Sequence, residues 1–492
     1  MSIMKDRAAG GKRSPAAQRN FIDGKPVNGK AINRAGNSAR NSRAGKEENF
    51  VRRALSHPVR SLPLAFLAVI LVGAGLLMLP ISRMDQGSEL LMPALFTSVS
   101  AVCVTGLITV DTATFWTPFG QAVILGLIQA GGFGIMTLAT LLALLVRKSI
   151  GLRGQLVAQS ETHTLNLGDV RAVLVRVAKI MLGFEAVTAV LLTGRFWLAY
   201  DANPATALWH GSFHAISAFN NAGFSLFSDN LIGLASDPWI ITPICLAIIA
   251  GGLGFPVIIQ LLRGEKSKSW TIHLRLTIYG TLLLLAAGIA LFVAFEWNRP
   301  ETLGNLSLTG KIMGSVAGGV FPRTAGFNSI DYGVASPETL MATNILMFIG
   351  GGSAGTAGGI KITTFLVLGF AIWNEVRGRD EVTIAHRSIS ASSQRQALSV
   401  ALLGVAAVVV GTMLLLMLTD YSLEKVLFES ISAFATVGLS TGITYHLPAS
   451  AEWVLMVLMF TGRIGTVTVA SALALSAHPR LYRLPEERPI IG

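Results

Sequence analysis

Long apolar runs alternate with short polar stretches from about residue 62 to residue 480. Five runs, 62–80, 119–146, 239–262, 276–295 and 396–419, are continuous enough to be helices that cross a bilayer, which takes about 20 apolar residues. A sixth, 172–198, carries Glu185 inside it. Between the runs lie shorter semi-apolar segments that end in glycine: FTSVSAVCVTG at Gly106, FHAISAFNNAG at Gly223, VAGGVFPRTAG at Gly326 and FESISAFATVG at Gly438. Three of these four open with phenylalanine (Phe96, Phe213, Phe428) and carry Ser-Ala at the fifth and sixth places.

The glycine pattern belongs to a longer repeat. Each segment follows an apolar span and precedes a second one that starts with Gly-rich sequence: Gly131-Gly132-Phe133-Gly134, Gly251-Gly252-Leu253-Gly254, Gly350-Gly351-Gly352 and Thr461-Gly462-Arg463-Ile464-Gly465. Matched features at a fixed distance mark an internal repeat. The glycine-ended segments are too short to span, so each enters the membrane and returns as a re-entrant loop. Each repeat then crosses twice and brings the chain back to its starting side. The four units are therefore parallel about an axis along the membrane normal.

The predicted fold is an all-α polytopic membrane protein, with four pseudo-repeats of span, re-entrant pore loop and span around one central pore. The expected boundaries are a disordered basic N-terminus over 1–60, repeats over 61–150, 171–263, 271–376 and 395–480, and a tail over 481–492. Composition agrees, with 52% hydrophobic and 13% charged residues. The net charge of +12 raises a nucleic-acid reading, but its distribution does not support one. The basic residues gather in 1–60, 147–179, 263–275, 374–395 and the tail, flanking the spans. By the positive-inside rule these segments, and both termini, face the cytoplasm of the cell membrane. No apolar signal-peptide core precedes the first span. Two cysteines, Cys103 and Cys245, exclude a disulfide framework or Cys-rich metal site.

Irregular backbone at membrane depth is tolerated when it lines a wet cavity. A ring of carbonyls that replaces an ion's hydration shell satisfies that condition. Glycine allows the positive φ and close approach that four converging loops need. The helical segment before each glycine aims its partly negative C-terminus at the cavity, which favours a cation. The expected carbonyl donors to the ion path are Val104, Thr105 and Gly106; Asn221, Ala222 and Gly223; Thr324, Ala325 and Gly326; and Thr436, Val437 and Gly438. The competing reading of such glycines is close helix packing, which does not require matched placement at the end of four short segments.

These residues resemble the Trk/Ktr/HKT superfamily of potassium transporters, most nearly the ion-translocating membrane subunit of Ktr systems. The resemblance spans about residues 60–480. It is carried by AVCVTGL (101–107), SAFNNAGFS (217–225), RTAGFNSID (323–331), SAFATVGLSTG (432–442), GGSAGTAGGIKITT (351–364) and GRIGTVTV (462–469). It implies inward potassium movement through one pore and a homodimer. It also implies a cytosolic nucleotide-binding regulatory partner of the RCK/KTN type (KtrA-like). Sodium-admitting members often have serine at the first filter glycine, so Gly106 points to potassium. No cofactor is expected on this chain beyond the transported K+, and sodium dependence stays open.

Gly350 to Gly359 holds six glycines, Gly350, Gly351, Gly352, Gly355, Gly358 and Gly359, followed by Lys361. Glycine costs about 1 kcal/mol per helical position relative to alanine, so this stretch is expected to be unwound. In the family, this place is an intramembrane loop that gates the pore beneath the filter. Arg463, inside an apolar run, is expected to face a cavity or a partner. In the family, an arginine there acts with the loop as an electrostatic barrier. The break and the arginine are expected in the third and fourth repeats, and not in the first two.

Other signals are weaker. His210 and His214 share a helix face but lack an HExxH glutamate or a third ligand, and read as a solvated entrance to the second pore helix. Glu185 reads either as a hydrogen-bonded packing residue or as a proton or sodium relay. Arg323 reads as a brace behind the filter, since a charge in the ion path would repel potassium. The loops 147–171 and 374–395 are the natural docking surface for a regulatory partner. Three rival functions are a sodium- or proton-coupled symporter of the same fold, a transporter with inverted repeats, and an intramembrane enzyme. The even number of crossings per repeat argues against the second. The lack of HExxH, GxSxG and a suitably placed Asp pair makes the chain a non-enzyme.

Overall fold

Several helices begin where a polar residue stands next to proline. Asn203, Asp237 and Ser336 accept hydrogen bonds from the backbone N–H of Ala205, Trp239 and Thr339, and each is followed by a proline in the first turn. The side chain satisfies an orphan donor, and proline has no N–H to leave open. The computed structural model describes residues 58–84, 90–149, 170–264, 270–379, 381–384 and 387–465. The expectations for 1–57, most of the loop 147–171, the end of the fourth repeat and the tail lie outside these residues.

The helices, in chain order, are α1 (Pro58–Leu77), α2 (Leu91–Val102), α3 (Thr112–Phe115), α4 (Pro118–Ser149), α5 (Val170–Ala199), α6 (Pro204–Asn220), α7 (Pro238–Leu253), α8 (Phe255–Leu262), α9 (Ile272–Glu296), α10 (Leu308–Val320), α11 (Pro337–Phe348), α12 (Ile362–Val376), α13 (Ala391–Leu418), α14 (Leu423–Phe434) and α15 (Ala449–Phe460). A π-helical turn, Thr461–Gly465, follows α15. A two-residue antiparallel ladder, β1 (Thr383–Ile384) with β2 (Arg387–Ser388), pairs Thr383 with Ser388 and Ile384 with Arg387.

Among the described residues, α9 and α13 are each long and apolar enough to cross a membrane, and α7 with α8 passes the same test as a bent pair. The bend corrects one expectation. The run 239–262 is not one straight crossing: it breaks at Gly254, and the two halves meet at 104°. Gly254 has φ +92°, and a side chain there would meet the carbonyl oxygen of Ser353. The second repeat therefore also carries a break, contrary to the expectation that the first two lack one.

Large apolar side chains face outward along the long helices, among them Val72, Val190, Leu246, Leu283, Leu402 and Met417. The interior instead holds many polar groups, including Ser98, Ser100, Thr105, Asn220, Asn221, Glu429 and Ser432, all at most 1% exposed. Apolar side chains outside, with the polar groups kept inside among buried apolar ones, suit a hydrocarbon solvent. Lipid is as apolar as leucine, so close packing and hydrogen bonds, rather than expulsion of water, hold such helices together.

The helices of 12 to 17 residues that end near the four glycines, α2, α6, α10 and α14, sit between the longer ones. Within its own stretch of chain, α2 packs on α4, α6 on α5 and α7, α10 on α9, and α14 on α13 and α15. Across stretches, α4 packs on α6, α7 on α10, α11 on α14, and α15 returns to α2. The contacts form a closed cycle. The phenylalanines that open three of the glycine-ended segments, Phe96, Phe213 and Phe428, are fully buried and anchor these short helices.

Candidate functional site

Each glycine-ended segment leaves its short helix through the same backbone pattern. The residue two places before the glycine has positive φ: Val104 (56°), Asn221 (59°), Thr324 (69°) and Thr436 (49°). The glycine itself is positive again: Gly106 (98°), Gly223 (70°), Gly326 (73°) and Gly438 (98°). The residue between them is not. A left-handed residue other than glycine, asparagine or aspartate is uncommon, and here valine and threonine adopt it at equivalent places. The surrounding structure must hold that conformation.

Part of the holding is done by the serine of the Ser-Ala pair. The N–H of Thr105, Ala222 and Val437 donates to the carbonyl of Ser100, Ser217 and Ser432, each at 2.8 Å. The Ser100 and Ser432 hydroxyls accept the N–H of Gly106 (3.0 Å) and Gly438 (3.1 Å). Ser217 instead donates its hydroxyl to the carbonyl of Phe224 at 2.8 Å. In the third segment Val320 takes the serine's place, and the N–H of Ala325 bonds to Phe321 at 3.0 Å. The repetition of this serine is visible in the sequence, but its role emerges only here. Removing a buried acceptor costs about 1–3 kcal/mol, so Ser432→Ala is expected to lower the thermal unfolding midpoint of the purified protein; an unchanged midpoint would contradict this role.

The four glycines converge. A Cβ built on Gly106 would fall on the carbonyl oxygen of Ala222. One on Gly223 would lie 2.7 Å from that of Ala325, one on Gly326 2.5 Å from that of Val437, and one on Gly438 against that of Thr105. The order closes on itself, first loop to second to third to fourth to first. Thr105, Ala222, Ala325 and Val437 thus contribute one carbonyl oxygen apiece to a single ring, each beside the neighbouring loop's glycine.

The segment Gly350–Gly359 is non-helical and connects α11 to α12. Backbone bonds close its base, with the Gly350 N–H donating to Ile360 at 2.9 Å and the Ile360 N–H to Phe348 at 3.2 Å. One side of the loop lies on the Gly254 break, where Gly352 donates to the Gly252 carbonyl (2.8 Å) and Thr356 to that of Gly251 (3.1 Å). A Cβ on Gly355 would lie 2.9 Å from the Gly251 oxygen, and one on Gly351 2.5 Å from that of Gly252. The other side meets the ring: Gly358 lies against the Ala435 carbonyl and the Thr436 hydroxyl, and the Thr356 hydroxyl lies 3.1 Å from the Asn221 amide. These contacts fall on residues at and before the first left-handed position, so the loop sits at the end of the ring that adjoins the short helices' C-termini.

Arg463, 2% exposed, donates from Nη1 to the carbonyl of Thr356. Arg323 donates from Nη2 to Gly350 at 3.0 Å, and Lys361 from Nζ to Ala357 at 2.6 Å. Three cationic side chains therefore end on carbonyls of one loop. No carboxylate lies within ion-pair distance of them among the described residues. Arg323, in the third glycine-ended segment, thus ties that segment to the Gly350 loop.

The histidine expectation is corrected. His214 is fully buried, not solvated: its Nδ1 meets the His210 carbonyl at 2.7 Å and its Nε2 meets Ser225 Oγ at 3.0 Å. His210 pairs with Asp201 at 2.9 Å. Glu185 accepts from Gln129 and from Asn220, both at 3.0 Å, and so has the contacts of the packing alternative.

A family model described as TrkH, cation transport protein, matches residues 39–480. The Ktr system potassium uptake protein B of Bacillus subtilis is 38% identical over 435 residues, which is 88% of this chain and 97% of that protein. The protein of the same description from Vibrio alginolyticus is 36% identical over 441 residues, 88% of this chain and 94% of its own. The crystal structure of the potassium transporter TrkH from Vibrio parahaemolyticus superimposes with a TM-score of 0.65, covering 86% of this chain and 84% of that one. At 18% identity it supports the fold alone.

Proposed function

The chain belongs to the TrkH family of cation transport proteins, and from that membership we propose that it takes up potassium through a pore whose filter is made by its four glycine-ended loops. The observation that carries this reading is the closed order of carbonyl oxygens, Thr105 to Ala222 to Ala325 to Val437, each against a neighbouring loop's glycine. Four partial negative charges gathered in a buried ring repel one another unless a cation lies among them, and carbonyl rings of this kind stand in for an ion's hydration shell. The short helices α2, α6, α10 and α14 end at the ring and add the negative ends of their dipoles.

The loop Gly350–Gly359 is the gate in this proposal. It abuts the ring at Asn221 and Thr436, it is bonded to the Gly254 break, and Arg463 ties its Thr356 carbonyl. A loop without helical hydrogen bonds, held by a few side chains, can move without unfolding a span. The positive charge of Arg463 adds an electrostatic cost for any cation leaving the filter while the loop is in place. A homodimer and a cytosolic nucleotide-binding subunit that displaces this loop complete the proposal. The relatives' description as Ktr-system proteins supports a partner subunit; the homodimer and the partner's nucleotide binding come from the sequence resemblance alone.

The test is uptake of rubidium or potassium into proteoliposomes with and without a sodium gradient. Uptake is expected in both, equal if conduction is uncoupled. Uptake only with the gradient would favour the sodium-coupled symporter, and no uptake of either cation would overturn the assignment.

A further inference from the structure

The ring is nearly four-fold, but the way its loops are fastened on the outer side is two-fold. In α6 and α14 the residue after the opening phenylalanine is a buried hydrogen-bond acceptor, His214 in one and Glu429 in the other, both 0% exposed. Each takes the backbone N–H of the residue three places beyond its own filter glycine: Leu226 N–H to His214 Nε2 at 3.4 Å, and Thr441 N–H to Glu429 Oε1 at 2.9 Å. Each also meets the serine two places beyond that glycine, Ser225 at 3.0 Å and Ser440 at 2.7 Å. Because His214 Nδ1 faces the His210 carbonyl and must donate, Nε2 is left to accept. Glu429 further accepts from the hydroxyls of Thr441 and Thr444.

The other two loops lack this fastening. The equivalent residues are Thr97, whose buried hydroxyl has no partner among the described residues, and Ala317, which has no side-chain acceptor. These loops are tied to the second loop: Asp111 accepts from Ser228, and Asn328 N–H donates to Asn230 Oδ1 at 3.2 Å; the third has in addition a long bond from the Ser329 hydroxyl to the Gly314 carbonyl of α10, at 3.5 Å. In the ring order, the second and fourth loops lie opposite each other.

We propose that His214 and Glu429 are a matched pair of positioning residues, which fix the outward-running strands of opposite filter loops and so set the ring's width and its preference for potassium over sodium. Neither touches the ion. Each pins a backbone amide three residues past the glycine whose neighbour supplies a ring carbonyl. With the second and fourth loops pinned to their own helices, the first and third are positioned through their ties to the second. This inference rests on the filter reading and adds to it the residues that hold the filter to size.

The experiment measures the ratio of rubidium to sodium uptake in proteoliposomes of the full chain. His214→Ala and Glu429→Ala are each expected to lower the ratio at least threefold. His214→Gln and Glu429→Gln, which keep an acceptor for the loop amide, are expected to restore most of it. Thr97→Val is expected to leave the ratio at the wild-type value. An unchanged ratio in both alanine variants overturns the proposal. So does an equal fall in Thr97→Val, which would mark a general disturbance of the short helices. If an alanine variant fails to accumulate in the membrane, Thr444→Val for Glu429 and Ser225→Ala for His214 remove one tie each, and an unchanged ratio in these decides against the pair. Gly223→Ser serves as reference. If it loses selectivity while the His214 and Glu429 variants keep theirs, only this inference fails. If none changes, the filter reading fails with it.

Discussion

Gly438→Ala is expected to lower rubidium uptake at least tenfold and to erase the preference for potassium over sodium. Two costs combine. At φ +98° any side chain strains the backbone, by about 1–2 kcal/mol even in the ordinary left-handed region. The new methyl would also land on the Thr105 carbonyl oxygen and lie 3.0 Å from the α-carbons of Gly106 and Gly326. These neighbours are backbone atoms, so no side-chain rotation relieves the clash, and the ring must open. Since about 1.4 kcal/mol is a factor of ten, the backbone strain alone reaches the tenfold range. A methyl on Gly126 in α4 would meet nothing within 4 Å, and Gly126→Ala serves as the control with unchanged uptake. Wild-type uptake and selectivity in Gly438→Ala would contradict the filter.

Arg463→Ala is expected to raise uptake severalfold, in the opposite direction to nearly every other buried substitution. The change removes the donor that holds the Thr356 carbonyl and withdraws a buried positive charge from the end of the ring. A buried positive charge beside the path raises the electrostatic cost of a passing cation, and its removal lowers that cost. Arg463→Lys separates the two effects: it keeps the charge and loses the planar fork. Low uptake in the lysine variant with high uptake in the alanine variant assigns the barrier to charge, and high uptake in both assigns it to the latch. Unchanged uptake in Arg463→Ala at normal expression would remove Arg463 from the gate.

The glycine-ended segments are legible in the sequence because their signal is local. A second left-handed residue within three positions of a helix favours glycine, and the serine six places earlier reaches back to it over a short stretch of chain, as Ser432 does to Gly438. The Gly251-Gly252-Leu253-Gly254 signal is visible in the run 239–262, but the sharp break at Gly254 is not, because it depends on the contact with Ser353 of a distant loop. His214 reads as solvated because i, i+4 histidines at a helix entrance look polar in sequence. Its burial depends on Ser225 and Phe227, which the chain places against it only after turning at Gly223. Glu429 gives no signal of its own, since a single glutamate in a short helix is ordinary until its four hydroxyl and amide donors are seen around it.

Hydropathy, spacing and turn chemistry were enough to establish a membrane-embedded helical chain, four glycine-ended segments and an unwound Gly-rich stretch, because each depends on residues close together along the chain. The cyclic order of the loops, the seat of the Gly350–Gly359 segment against Asn221 and Thr436, and the tie from Arg463 to Thr356 across 107 residues came from tertiary packing. Most of these contacts end on a backbone carbonyl, which every residue carries. A side-chain alphabet cannot announce which carbonyl will meet which glycine, and the folded chain settles that by bringing the four loops to one axis.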